Sequence, residues 1–292
     1  MKKISKIKDK KISKISIGLT LVVLLTTLSL SGCVEETTDG LAIVAVGRDS
    51  ASGTREFFYE FVMEKEDFTD TMLEKNSNGA VHQTVSQTKG AIGYVGLGYI
   101  DDDVKALKIN GVEANVANVV DGSYPIARNM NMYTKGEPEG AVLEFLTYLH
   151  SDEGQAIVAD EGFVPKDGTG SYTVVEGLSG TVTVIGSTTV LPIGAQAAEA
   201  FNALYEDVTV TVSGGGSSVG IQSAGAGSAD IGMASREIKQ SEQNDYPDLM
   251  VHVICSDGIA LIVHPENDFV TDLTIEQVKQ IYLGTYTNWN EL

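Results

Sequence analysis

The chain has 292 residues, 42% of them hydrophobic and 21% charged, with 20 basic against 40 acidic side chains. That length supports one large or two medium domains with real cores, and the composition is that of a globular protein. The acidity excludes a broad basic face for nucleic acid or an anionic membrane, so any anion site must work through local dipoles and one or two placed cations.

The N-terminus carries a targeting pattern. Lys2, Lys3, Lys6, Lys8, Lys10, Lys11 and Lys14 form a basic region, an apolar run fills residues 15–30, and Ser31-Gly32 places small residues ahead of Cys33. This predicts a lipoprotein signal over residues 1–32, with Cys33 as the lipidated first residue of the mature chain. The apolar run is short for an uncleaved membrane span. Residues 33–40 read as a solvated tether. Beyond residue 32 there are 13 basic and 39 acidic residues, a net charge of −26. Cys255 is then the only other cysteine, which leaves no intrachain disulfide in the mature protein; its apolar surroundings predict a buried small residue.

Apolar patterning predicts strands at 41–46, 90–99, 104–109 and 126–133, and helices at 54–64, 114–120, 140–150 and 153–160. Residues 166–179 have linker composition. A second unit opens with a strand from Thr181, followed by a helix over 191–205 and a strand from Val208. A short helix at 219–226, strands at 231–233 and 254–263 and a helix at 274–282 complete it. Alternating strands and helices predict an α/β protein with largely parallel sheets.

Three segments repeat one design, a strand, a turn rich in Gly, Ser and Thr, then a helix. They are Gly47-Arg48-Asp49-Ser50-Ala51-Ser52-Gly53-Thr54, Gly186-Ser187-Thr188-Thr189-Val190 and Gly214-Gly215-Gly216-Ser217-Ser218-Val219. A helix N-terminus offers unpaired N–H groups and about half a positive charge, glycine admits a ligand close to the backbone, and hydroxyls add adjustable donors. One such turn is no more than an N-cap. Three of them predict a shared oxyanion site beyond the carboxyl ends of the strands.

Gly216-Ser217-Ser218-Val219-Gly220 also matches the G-x-S-x-G pattern of a hydrolase elbow, with Ser217 as the candidate nucleophile. A triad needs a histidine and an acid, and none of His82, His150, His252 or His264 stands in a fitting context. The histidines are scattered, no carboxylates have metal-ligand spacing, and Asp101-Asp102-Asp103 reads as a solvated turn; no metal or cofactor is expected.

Gly186-Ser187-Thr188-Thr189-Val190-Leu191-Pro192, Ser213-Gly214-Gly215-Gly216-Ser217-Ser218, Asp230-Ile231-Gly232-Met233-Ala234-Ser235-Arg236 and the turn from Gly47 to Arg55 resemble the phosphate-binding proteins of ABC transporters, the PstS family. Ser77-Asn78-Gly79-Ala80, the segment from Gly90 to Val95, and Thr287-Asn288-Trp289-Asn290-Glu291-Leu292 are similar to that family too. The block order differs. In the family the block at Gly186 comes first, that at Trp289 next and that at Arg48 last, so this chain looks like a circular permutation, with residues 166–179 joining the family's usual ends. A fragment of a longer gene, or of a tandem pair, is the other reading of this order.

The resemblance implies a type II periplasmic-binding-protein-like fold: two α/β lobes joined by hinge strands, with the ligand in the cleft. One lobe is expected over 41–122 and 264–292, the other over 123–263. The resemblance also implies a lipid-anchored protein on the outer face of the cytoplasmic membrane, serving inorganic phosphate and an ABC permease and doing no catalysis. Arg48 would supply the fixed charge, bidentate to phosphate oxygens. Ser52, Gly53 and Thr54 would donate from one lobe, Ser187, Thr188, Thr189 and Val190 from the other, and Ser217 from the third turn. Better-studied members hold an Asp that accepts the proton of hydrogen phosphate and so excludes sulfate. This chain has Ser235-Arg236 there. Asp257 is the candidate replacement and Asp49 the second, while Arg236 would add charge on the ligand. Discrimination against sulfate-like oxyanions stays open.

Overall fold

The Val44–Arg48 run forms a buried strand, β1, at the start of the computed structural model, which describes residues 40–292. The signal segment and Cys33 lie outside the described residues. The first unit continues with α1 (Gly53–Phe61), β2 (Leu73–Lys75), α2 (Asn78–Ser86) and β3 (Ala91–Gly96). Here β1 pairs in parallel with both β2 and β3. Short elements β4 (Lys105–Ala106), β5 (Lys108–Ile109) and α3 (Val116–Val120) follow. Next come β6 (Ala127–Lys135), α4 (Gly140–His150) and α5 (Asp152–Asp160). The second unit holds β7 (Gly180–Gly186), α6 (Leu191–Asn202), β8 (Val208–Gly214), α7 (Ser217–Ala226), β9 (Ile231–Ala234) and α8 (Gln240–Asp245). The chain closes with β10 (Leu249–Val263), β11 (Asp272–Leu273) and α9 (Ile275–Leu283).

One continuous sheet runs β2-β1-β3-β10-β6-β9-β7-β8, with β4 also on β10. Pairing is parallel at both ends, where β7 lies between β8 and β9 as β1 lies between β2 and β3. In the middle it is antiparallel, through β3–β10, β10–β6 and β6–β9. The expectation of largely parallel sheets therefore holds for each end and not for the centre. The reason is β10, fifteen residues long and beginning at Leu249 rather than 254, which serves both halves.

Two apolar clusters flank this centre. The first gathers Val46, Phe58, Val85, Ile92, Ile262 and Tyr282, with Phe58 stacked on Tyr94 at 4.2 Å between ring centroids. The second gathers Phe145, Val184, Ile193, Phe201 and Ile231. Along β10, Ile254 and Cys255 pack in the second cluster and Ile259 to Val263 in the first. Along the β6 side, Ile126 packs in the first and Met130 in the second. These two antiparallel strands are where the backbone passes between halves, the hinge of a two-lobed α/β fold. At the far edge, β8 buries Val208 and Val210 and exposes Thr209 and Thr211, the alternation of a half-buried strand.

Several boundaries differ from the periodicity. The helix expected over 54–64 ends at Phe61, before Glu64 and Lys65, which hold positive φ and cannot continue it. The strand expected over 90–99 ends at Gly96 and turns into a single 3-10 turn, Leu97–Tyr99. Helix α2 was not expected at all. It is nine residues long and only weakly amphipathic, and Ser77 starts it by accepting from the Ala80 N–H.

Residues 166–179 are mostly exposed, and Tyr172 ties the segment down. The Tyr172 hydroxyl bonds Glu144 at 3.0 Å and Tyr205 at 2.5 Å, against the α4–α6 side. At the other side of the molecule the two ends of the described chain meet. Ala42 bridges Asn288, the Trp289 N–H donates to the Leu41 carbonyl, and the Trp289 ring N–H donates to Gly90.

Candidate functional site

The three turns converge, and a fourth helix N-terminus joins them. Thr54, in the first turn of α1, lies 3.1 Å from Thr189, just before α6, oxygen to oxygen. Asn78, the first residue of α2, donates from Nδ2 to Thr189 Oγ1 at 2.8 Å and to Thr188 Oγ1 at 3.4 Å. Gly53 faces Ser217, the first residue of α7, so closely that a β-carbon on Gly53 would sit 2.2 Å from Ser217 Oγ. Gly216 meets the same wall, where a β-carbon would sit 2.6 Å from the Ala51 carbonyl, and its φ of 97° also demands glycine. Elements of both lobes thus touch through small residues and hydroxyls.

The hydroxyls have a common polarity. Ser52 accepts from the Arg55 N–H, Ser187 from the Thr189 N–H and Ser217 from the Ser235 N–H, while Thr189 accepts from Asn78. A hydroxyl whose lone pair is so used keeps its proton to donate elsewhere. All four are buried, and so are Thr54 and Thr188. The helix dipoles and the first-turn N–H groups add to this donor surface.

Two arginines supply charge. Arg48, the last residue of β1, is 1% exposed. Its Nε and Nη2 donate to the carbonyls of Lys75 and Asn76, which fixes the guanidinium without neutralising it. Burial lowers its pKa, Asp49 opposes that, and the charge of Arg128 lowers it further. Arg128 lies on β6 directly across from Asp257 on β10 and bonds Asp257 Oδ2 through Nη2 at 2.9 Å and Nε at 3.3 Å. Its Nη1 reaches the Ser235 carbonyl. Asp257 Oδ1 accepts from the Leu97 N–H at 2.9 Å. Burial pushes the Asp257 carboxyl pKa up, against the pull of Arg128 and the Leu97 N–H. Gly96 keeps this carboxylate next to the threonine turn; a β-carbon there would be 2.7 Å from Thr189 Cγ2 and 3.0 Å from Asp257 Oδ2. The Tyr99 hydroxyl donates to the Thr188 carbonyl at 2.6 Å, and burial pushes its pKa to about 12, so it stays a donor.

Of the residues singled out in the sequence, Ser52, Gly53, Thr54, Ser187, Thr188, Thr189, Ser217 and Ser235 form one cluster, with Val190 buried behind it. Arg48 and Asp257 flank it. Arg236 is turned elsewhere: its two terminal nitrogens bind Glu242 at 2.8 and 2.7 Å and reach the Ser218 hydroxyl. Its charge is met by a carboxylate of its own lobe, so the expectation that it adds charge to the ligand is not what the geometry favours. Asn78 and Arg128 were not singled out. Asn78 could have been found from its place after Ser77, a fourth turn-to-helix junction. Arg128 sits inside a strand pattern that carries no chemical signal.

Among the described residues the G-x-S-x-G segment has no triad around it. Its central serine is Ser218 rather than Ser217, and Ser218 is bonded to Arg236. The histidine partners are Asp101, the Leu146 and Val253 carbonyls, Thr134 and the Glu266 N–H, none of them a site serine. Among the described residues no three His, Cys, Asp or Glu side chains are grouped to hold a metal, and no helix is long and apolar enough to cross a membrane.

The pattern of the PBP superfamily domain matches residues 29–153 and 173–292. The phosphate-binding protein PstS 2 of Streptococcus agalactiae is 38% identical over 275 residues, covering 90% of this chain and 92% of that protein. The chain belongs to the PstS family. The crystal structure of the phosphate-binding protein of a phosphate ABC transporter from Streptococcus pneumoniae matches the fold with a TM-score of 0.69 and 32% identity, over 86% of this chain and 99% of that one. The PstS of Bacillus subtilis is 41% identical, yet over only 42% of this chain and 41% of its own length. The PstS family thus includes relatives that align nearly end to end with this chain and others that align over less than half of it.

Proposed function

We propose that this chain is an extracytoplasmic solute-binding protein that closes two lobes on inorganic phosphate and delivers it to an ABC permease. The observation that carries this reading is the meeting of four helix N-termini and donor-set hydroxyls beside Arg48, a buried cation without a carboxylate bonded to it. Such a surface complements a compact anion rich in acceptors. Arg48 anchors the anion, Ser52, Gly53 and Thr54 donate from one lobe, and Ser187, Thr188, Thr189, Val190 and Ser217 donate from the other. Ser235 supports Ser217, and Asp257 lines the wall with its charge balanced by Arg128. Lipidation at Cys33 holds the protein at the outer face of the cytoplasmic membrane. It is a carrier and not an enzyme.

The two apolar clusters support a division of the lobes near residues 126–130 and 256–259, inside the 123–263 lobe expected from the sequence. The permuted order is supported by the single-block match to the Bacillus protein and by the contact between Leu41 and Trp289, which brings the ends of the described chain side by side. Permutation is tolerated where such ends adjoin at the surface.

Titration calorimetry of the full chain with phosphate, sulfate and nitrate tests the function. Tight one-to-one binding of phosphate is the expected result, and no heat with phosphate at millimolar concentration rejects it.

A further inference from the structure

The site is rich in donors, and its acceptors are therefore the informative groups. An anion without protons, such as sulfate, is satisfied by donors alone. Hydrogen phosphate carries one O–H and needs an acceptor, and a buried acceptor that meets no proton is left unpaired. The carboxylate of Asp257 already receives Arg128 and the Leu97 N–H. Three of the site hydroxyls, those of Ser52, Ser187 and Ser217, each already accept from a backbone N–H. Among the described residues two buried amide oxygens have no hydrogen-bond partner, those of Asn131 and Asn78; Asn131 is tied through its nitrogen to the Arg236 carbonyl, and only Asn78 touches the threonine turn. Asn78 is fully buried, its amide nitrogen is clasped by the Thr188 and Thr189 hydroxyls, and its Oδ1 has no hydrogen-bond partner.

Resting on the reading of the site as a phosphate pocket, we infer that Asn78 is the specificity-determining residue, its Oδ1 accepting the hydroxyl proton of the protonated oxyanion. Buried polar atoms in folded proteins find partners, and this one lies on the amide that touches the central donor, Thr189. In the orientation the structure shows, the amide nitrogen serves Thr188 and Thr189 and the oxygen faces away from them without a partner. Asp49 Oδ1 is also buried without a partner, but Asp49 is half-exposed and no hydrogen bond ties its carboxylate to the threonine clasp. A neutral amide gives selectivity through a missing hydrogen bond, without repelling the dianion as a carboxylate would.

The test uses monofluorophosphate, a dianion shaped like hydrogen phosphate whose fluorine replaces the O–H. The full chain should bind hydrogen phosphate about ten- to a hundred-fold more tightly than monofluorophosphate or sulfate. In Asn78→Leu the phosphate affinity should fall to that of the other two, which should be little changed. Asn78→Asp, which keeps an acceptor, should retain the preference. Circular dichroism melts check that each variant folds, and should Asn78→Leu not fold, Asn78→Ser, which shortens the side chain away from the ligand, serves in its place. Equal losses for all three anions in the variant, or a preference that vanishes in Asp49→Asn instead, overturns the assignment of Asn78. Wild-type protein that binds phosphate and monofluorophosphate alike also overturns it, while leaving the phosphate function intact. Wild-type protein that binds no phosphate overturns both.

Discussion

Arg48 is held by two backbone carbonyls and stands near the charge of Arg128. A buried cation in this state is unfavourable until an anion arrives. Arg48→Met should therefore separate binding from stability. Phosphate affinity should drop by about 2–5 kcal/mol, as when one partner of a buried charge pair is removed. Calorimetry measures that loss, and urea unfolding of the ligand-free variant should show stability equal to or above that of the wild type. The role proposed for Arg48 can be argued from the sequence because it precedes a turn rich in Gly, Ser and Thr. That of Arg128 was not, because its meaning comes from the register that sets it opposite Asp257, and register is a property of two strands. Arg236 shows the same limit: its neighbour in the chain is Ser235, but its partner, Glu242, lies on α8 and is not visible from the local sequence.

At the level of elements, the site depends on how closely α1 and α7 approach. Gly53→Ala would put a β-carbon 2.2 Å from Ser217 Oγ and 2.8 Å from its β-carbon. The lobes would have to part, so phosphate affinity should fall at least about tenfold, with the melting temperature of the ligand-free protein nearly unchanged, because neither core is touched. Small-angle scattering in saturating phosphate should show a wider molecule than the wild type. Helix α8 is tied down differently. Burial pushes the Glu242 carboxyl pKa up, but the Arg236 hydrogen bond, the Lys239 N–H and the charges of both outweigh it, and the net pKa lies below the ordinary value. The unfolded chain then binds more protons than the folded one, so this carboxylate stabilises the fold above the ordinary carboxylate pKa. That contribution disappears as pH falls through the lower folded value. Glu242→Gln should cost roughly 1 kcal/mol at pH 7, a modest figure because the pair is partly open to solvent. The gap between variant and wild type in urea unfolding should close as pH falls below the ordinary carboxylate range. The four helix starts explain why so much of the site could be read in advance: a glycine and hydroxyl turn is local chemistry. Helix α2 escaped because its apolar face is only Val81 and Val85, too small a signal for periodicity, although Ser77 marked its start.

The whole molecule sets a field that works against its own ligand. Beyond the signal segment the net charge is −26, and a phosphate dianion approaching from solvent meets repulsion before it meets any donor. Salt screens that repulsion over a Debye length of about 8–10 Å, but it screens contacts inside a closed, buried cleft far less. The two effects fall on different rate constants. The association rate, measured by stopped-flow fluorescence through Trp289 or an added probe, should rise about two- to fivefold between 10 and 150 mM ionic strength, while the dissociation rate should hardly move. A cleft mouth dominated by its own cations, with Lys239 reaching across to Glu56 and Arg55 beside it, would give the opposite slope. Each of those cations is already met by a carboxylate, Lys239 by Glu56 and Arg55 by Glu74, so the mouth offers no net positive field to reverse the trend. With the site proposed here, attraction begins only where Arg48 and the helix starts come within hydrogen-bonding reach, and affinity has to reside in slow release rather than fast capture.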